Sequence, residues 1–182
     1  MKEIRIHGRG GQGAVIAAHI LGMASVAEGE YASSFPMFGV ERRGAPVTSF
    51  LRLDDKPIRE KTMIYSPDCL IILDQSQINL PVTFQGIKPE GVLVANVDTS
   101  LKKNPHTNIG LMATINATKI AMEEIGIPAN NTCMVGAFAG ATGWVNLDYI
   151  ITALEEFFIG KRLEANINSC RRGFQEVEVM KL

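Results

Sequence analysis

The chain has 182 residues, enough for one compact domain with a sizeable core and tight for two. It is 46% apolar and 20% charged, a balance that excludes a disordered chain, and its formal charge of -1 offers no basic surface for nucleic acid. No run of about 18 uninterrupted apolar residues exists for a membrane span, and MKEIRIHG enters a strand without the charged and apolar regions of a signal peptide, so the expected compartment is the cytoplasm.

Glu3 to His7 alternates polar and apolar residues and predicts a strand. Glycines follow, and Gly13 to Ala27 is almost entirely small or apolar, as in a helix packed on most sides. Ala32 to Pro46 reads as a long loop, and Pro46 to Leu53 as a second strand. Asp54-Asp55-Lys56 is a turn, with Pro57 to Arg59 as a short returning hairpin arm. Cys69 to Leu73 and Gly91 to Val97 are continuous apolar runs, expected as central strands of a parallel sheet buried on both faces. Asn108 to Met112 reads as a last strand. Helices are expected over Thr114 to Ile125, Asn131 to Gly143, Asp148 to Phe158 and Lys161 to Val179. The pattern predicts one α/β domain over residues 1–182. It is Rossmann-like, a mostly parallel sheet flanked by helices with a helical C-terminal third.

Gly8-Arg9-Gly10-Gly11-Gln12-Gly13 has the spacing G-x-G-x-x-G between a strand and a helix. Glycines take positive φ and let the backbone approach a ligand, while the first helical turn offers unpaired N–H groups to an anion. Arg9 adds a charge. Equally, the glycines can serve only to make a tight turn that lets the helix lie close on the sheet. A nicotinamide dinucleotide fits poorly. Its ribose is held by an acid at the end of a second strand, where this chain has Glu28 and Glu30 and then the loop.

That loop carries Phe35, Met37, Phe38 and Val40 beside Glu41, Arg42 and Arg43. So many apolar residues should pack on the domain's own core or on a partner protein. The arginines suit a carboxylate or a phosphate, or an ion pair with Glu41 that pins the loop. Cys69, Cys133 and Cys170 are widely spaced with no CxxC pair, and His7, His19 and His106 show no ligand spacing. Buried free thiols are expected, and no metal or iron–sulfur site within this chain. Asp74 and Asp98 follow sheet strands, where they can meet a ligand or cap the next element. His7 is expected half-buried and satisfied, Asn131 as a helix N-cap, and Trp144 in the core. The Gly/Ala pattern of Asn131 to Gly143 suits close approach of another backbone, in this domain or another subunit.

HGRGGQG followed by FPMFGVERRGAPV closely resembles the gamma subunit of the 2-oxoacid:ferredoxin oxidoreductases, the pyruvate synthase group. VTSFLRLDDKPI, PDCLIILD and NTCMVGAFAGATGW extend the likeness over nearly the whole chain. The resemblance implies a reversible conversion of a 2-oxoacid, coenzyme A and oxidised ferredoxin to acyl-CoA, CO2 and reduced ferredoxin. It implies alpha, beta and delta subunits as partners, with thiamine diphosphate and the iron–sulfur clusters on those partners, and ferredoxin engaged only indirectly. On this chain it implies a role in handling coenzyme A, carried by Gly10, Gly11, Gln12 and Gly13 with Arg9 as helper. Glu41, Arg42 and Arg43 belong to a loop facing the active site. No residue here is expected to be catalytic, and the chain alone is expected to be inactive. A subunit of an indolepyruvate-type oxidoreductase, or a free-standing module for coenzyme A or a nucleotide, are the alternatives.

Overall fold

The computed structural model describes residues 1–37, 44–99, 101 and 103–182. Strand β1 (Lys2–Arg9) is buried on both faces: Ile4 and Ile6 point to one core, and Arg5 and His7 to the other side. Helix α1 (Ala14–Ala27) presents Ala14, Ala17, Ala18, Leu21 and Ala24 inward, small residues that let it lie close on the sheet. Strands β2 (Tyr31–Pro36) and β3 (Pro46–Asp54) follow, then β4 (Cys69–Ile72), β5 (Gly91–Asn96) and β6 (Ile109–Ile115).

The sheet order is β2-β3-β1-β4-β5-β6-β7, where β7 is Glu178–Lys181. Strands β1, β4, β5 and β6 pair in parallel, and β3 and β7 are antiparallel to their neighbours, so five of the seven strands run the same way. The apolar runs in β4 and β5 are buried on both faces, as such runs require. One face is covered by α1, α3 (Ala117–Glu124), α4 (Asn131–Thr142), α5 (Leu147–Leu154) and α6 (Gly160–Glu176). The other carries a smaller core around Leu70, Ile72 and Leu93, closed by a 3-10 turn at Gln75–Asn79 and the short α2 (Pro81–Phe84).

Helix α4 is buried from Asn131 to Ala139 and packs on α6 of the same chain. A Cβ on Gly136 would strike the Cys170 carbonyl, and one on Gly173 the Cys133 carbonyl. The backbone that the Gly/Ala pattern admits is therefore α6.

Several expectations are corrected. Tyr31 to Pro36 is a strand rather than loop, because β3 offers it a complete antiparallel ladder from Tyr31↔Asp54 to Pro36↔Ser49. Pro57 to Arg59 forms no returning arm, since both edges of β3 are already taken by β1 and β2. The last strand is β7, not the one near Asn108. The C-terminal helix stops at Glu176, where Val177 turns to φ -64, ψ 126 and leads β7 alongside β6. Strand β6 runs on to Ile115, so α3 begins at Ala117 rather than Thr114.

Candidate functional site

The turn after β1 sits where the parallel strands end, the edge at which open α/β sheets bind ligands. Gly11 has φ +93 and Gly13 has φ +79, a region glycine enters without steric cost. Gly13 is the N-cap of α1 and contributes no side-chain cap. Gly10 is tied to the segment beyond the loop: its N–H donates to the Ala45 carbonyl (2.9 Å) and its carbonyl accepts from the Gly44 N–H (3.3 Å). The Gln12 N–H donates back to the Arg9 carbonyl (3.0 Å). The N–H groups of Gly11, Gly13 and Ala14 meet no acceptor among the described residues. Among the described residues a Cβ on Gly11 would have nothing within 4 Å.

Side chains brace the turn from below. Gln12 Oε1 accepts from the Arg9 N–H (2.7 Å), and Gln12 Nε2 donates to Asp74 Oδ2 (3.0 Å). The Arg9 guanidinium pairs with Asp74 (3.3 Å) and donates to the Gly44 carbonyl (3.0 Å) and Ser76 Oγ (2.7 Å). The buried Gln77 amide donates to the Gly8 carbonyl. Asp74 also caps the 3-10 turn through the Ser76 N–H (3.0 Å). Burial works to raise the Asp74 carboxyl, but hydrogen bonds from Ser76 and Gln12 and the Arg9 charge outweigh it and hold the group below the usual carboxylate range.

Beside the turn lies a crevice of about 700 Å³, reaching Asp98, Asn116 and Lys119. Its floor is polar. The side-chain amides of Asn96 and Asn130 both donate to the Leu73 carbonyl (3.0 and 3.1 Å) and to Thr118 Oγ1 (2.9 and 3.1 Å). The crevice thus joins a turn with free N–H donors to a floor of amides at the carboxyl ends of β4 and β5, an arrangement suited to an anionic, nucleotide-like ligand.

Arg9, Gly10, Gly11, Gln12 and Gly13 are therefore brought together. Glu41, Arg42 and Arg43 lie outside the described residues, as do Phe38 and Val40. Of the apolar loop residues that are described, Phe35 packs on Phe50 with ring centroids 5.1 Å apart, while Met37 stays exposed. Strand β2 lies at the sheet edge with antiparallel β3 between it and β1, so no parallel neighbour brings Glu28 or Glu30 to the turn as a dinucleotide site requires.

His7 is more buried than expected, and its Nε2 has no partner. Asn131 is the first residue of α4, not its cap: Asn130 holds that position, without a capping side-chain bond. Trp144 is half-buried edge-on against Phe138 (5.8 Å), with Lys2 over its ring. All three cysteines are free and buried, and burial pushes the Cys133 and Cys170 thiols up to about 12. Among the described residues no group of three or more His, Cys, Asp or Glu side chains is placed to hold a metal, and no helix is long and apolar enough to cross a membrane. Sequence reasoning did not find Gln77, Ser76 or the Asn96–Asn130 floor. Only the Q-x-Q spacing just after Asp74 hinted at polar work there.

The family model described as pyruvate ferredoxin/flavodoxin oxidoreductase matches residues 3–176. The common gamma subunit of the pyruvate/ketoisovalerate oxidoreductases of Pyrococcus furiosus is 46% identical over the full length of both chains. The crystal structure of pyruvate oxidoreductase subunit PORC from Thermotoga maritima superposes with a TM-score of 0.87 at 32% identity, covering 99% of this chain and 98% of that one. The fold also recurs at 16% identity, with a TM-score of 0.78, in a 2-oxoglutarate:ferredoxin oxidoreductase from Magnetococcus marinus solved with 2-oxoglutarate, coenzyme A and succinyl-CoA. There it matches 94% of this chain but only 30% of the longer one.

Proposed function

Because the chain belongs to the pyruvate ferredoxin/flavodoxin oxidoreductase family, as the gamma subunit of a multi-subunit 2-oxoacid:ferredoxin oxidoreductase, we propose that its glycine turn holds the diphosphate of coenzyme A. The indolepyruvate-type and free-standing readings are not favoured. One observation carries the proposal: among the described residues the N–H groups at Gly11 and Gly13 have no acceptor, and nothing lies over Gly11, which borders a polar crevice. A phosphate accepts from such donors, and the α1 dipole adds to the attraction. Gly10, Gly11, Gln12 and Gly13 supply the cradle. Arg9, held by Asp74, adds positive charge beside it. For Glu41, Arg42 and Arg43 the assignment to a loop facing the active site rests on the resemblance of FPMFGVERRGAPV alone.

In this reading residues 1–182 form one domain of a cytoplasmic complex with alpha, beta and delta subunits. Thiamine diphosphate and iron–sulfur clusters sit on those partners, where the first supplies the carbanion chemistry of decarboxylation and the second carry electrons to ferredoxin. This chain does no bond-breaking chemistry. It binds and orients the acyl acceptor.

In the assembled complex, Gly11→Val forces a branched side chain to positive φ in front of the ligand. The KM for coenzyme A should rise by about tenfold or more, the loss of one or two hydrogen bonds to a charged group, with the KM for the 2-oxoacid unchanged. If 2-oxoacid decarboxylation fails while coenzyme A dependence stays the same, the assignment of the turn is wrong.

A further inference from the structure

We propose that the outer edge of β2 is an interface with a second copy of this chain, the two copies continuing one sheet antiparallel about a two-fold axis at Ser33. The inference uses no residue of the glycine turn and does not depend on the coenzyme A reading.

The two edges of the sheet are built differently. Natural sheets guard an exposed edge by keeping it short or by placing charges on it. Strand β7 has both devices: it is four residues long and carries Glu178 and Lys181. Strand β2, Tyr31-Ala32-Ser33-Ser34-Phe35-Pro36, is longer and has no charge. Among the described residues it pairs only with β3. The Met37 N–H donates to the Thr48 carbonyl (2.9 Å) in the register that sets Phe35 against Phe50 and Ser33 against Arg52. Antiparallel bonding alternates, so Ser33 and Phe35 turn their main-chain groups to β3, while Ala32 and Ser34 turn theirs outward. Pro36, which lacks an N–H, falls on the outward side, where it costs no bond to β3.

The neighbouring helix carries the same signature. From Ala14 to Ala27, α1 has no charged residue, and it leaves Ile16, Met23 and Val26 exposed opposite its buried face. A helix apolar all round belongs to a buried position. A groove of about 480 Å³ between Met23 and Val26 on α1 and Ala32 and Ser34 on β2 joins the two features into one uncharged surface.

This surface complements itself. Antiparallel pairing about Ser33 sets Ala32 of each copy against Ser34 of the other, and these outward-turned residues exchange both ladder bonds. Tyr31 meets Phe35 of the second copy, an aromatic cross-strand pair on one face. Glu30, the charge next to the strand, falls opposite Pro36 of the second copy, so like charges do not meet. The same axis lays groove beside groove, which covers Met23 and Val26 of both copies together.

The test is sedimentation equilibrium on the purified full chain and on its Ser33→Lys and Ser33→Asp variants. The unsubstituted chain should be a dimer at roughly 100 μM, above the micromolar range of weak specific interfaces. In either variant two like charges meet across the axis, about 4.5 Å apart at Cα, and the dissociation constant should rise about tenfold or more. Mixed in equal amounts, the Lys and Asp variants should associate again, because each charge then faces its opposite. Thermal melts of the separate variants show that they are folded, and if one fails to fold, Ser34→Pro replaces it, since it removes an outward N–H and no bond to β3. A monomeric unsubstituted chain overturns the inference. So does a dimer that neither substitution weakens, or a mixture of folded variants that does not re-associate. Loss of binding to the other subunits in the Ser33 variants, with the chain monomeric throughout, assigns this edge to another subunit and overturns it as well.

Discussion

Burial, reinforced by the Arg5 charge, drives the His7 imidazole down from its ordinary 6.5 to about 3. Below pH 6.5 the unfolded chain therefore binds a proton that the folded chain refuses. His7 contributes its full stabilising effect above that pH and loses it as pH falls from 6.5 toward 3, by up to about 1.4 kcal/mol per pH unit. In His7→Gln this dependence is absent, so the urea midpoint of the variant should fall less between pH 6.5 and 4.5 than that of the unsubstituted protein. Parallel slopes would refute the account. Arg5, on the same side of β1, survives burial because its Nη2 donates to the carbonyls of Thr83 (2.9 Å) and Gln85 (2.8 Å). Neither burial was legible in Glu3-Ile4-Arg5-Ile6-His7, whose alternation reads as one wet face. The wet face is covered by chain some eighty residues away.

Helices α4 and α6 pack backbone to backbone, with Gly136, Gly140 and Gly173 all facing main chain across the contact. A helical alanine gains about 1 kcal/mol over glycine from propensity. At Gly173 that gain is outweighed, because the added methyl meets the Cys133 carbonyl and the helices must part. Overpacking of this kind costs about 1–3 kcal/mol. Gly173→Ala should therefore lower the denaturant midpoint, and an unchanged or raised midpoint would show that the interface yields freely. The small-residue run of α4 was visible in the sequence, but its partner was not, since spacing alone does not say which backbone comes near.

At the scale of the whole molecule, the crevice is open on its outer side, and every part of the proposed site described here comes from one edge of one sheet. A ligand the size of coenzyme A extends well past such a crevice, so its remaining contacts fall to other subunits. The isolated chain is expected to bind coenzyme A weakly or not at all and to show no oxidoreductase activity. Calorimetry on the purified chain beside the assembled complex checks this, and equal affinity in the two would rule out a shared site.

The sequence by itself determined the strand–turn–helix at residues 2–27 and the parallel strands β4 and β5. Those depend on local causes: glycine's tolerance of positive φ, a run of small residues, and apolar stretches that only a doubly covered strand can bury. It also held enough of the family pattern in HGRGGQG and its following segment to indicate the complex. Tertiary structure alone decided that Tyr31 to Pro36 and Glu178 to Lys181 are strands, because each exists only by pairing with a ladder far along the chain. It alone turned the glycine motif from a turn into a site. The bracing of Gly8 to Gly13 by Asp74, Ser76 and Gln77 joins residues more than sixty positions apart. No local pattern records such contacts, since hydrogen bonding and close approach depend on distance in space and not along the chain.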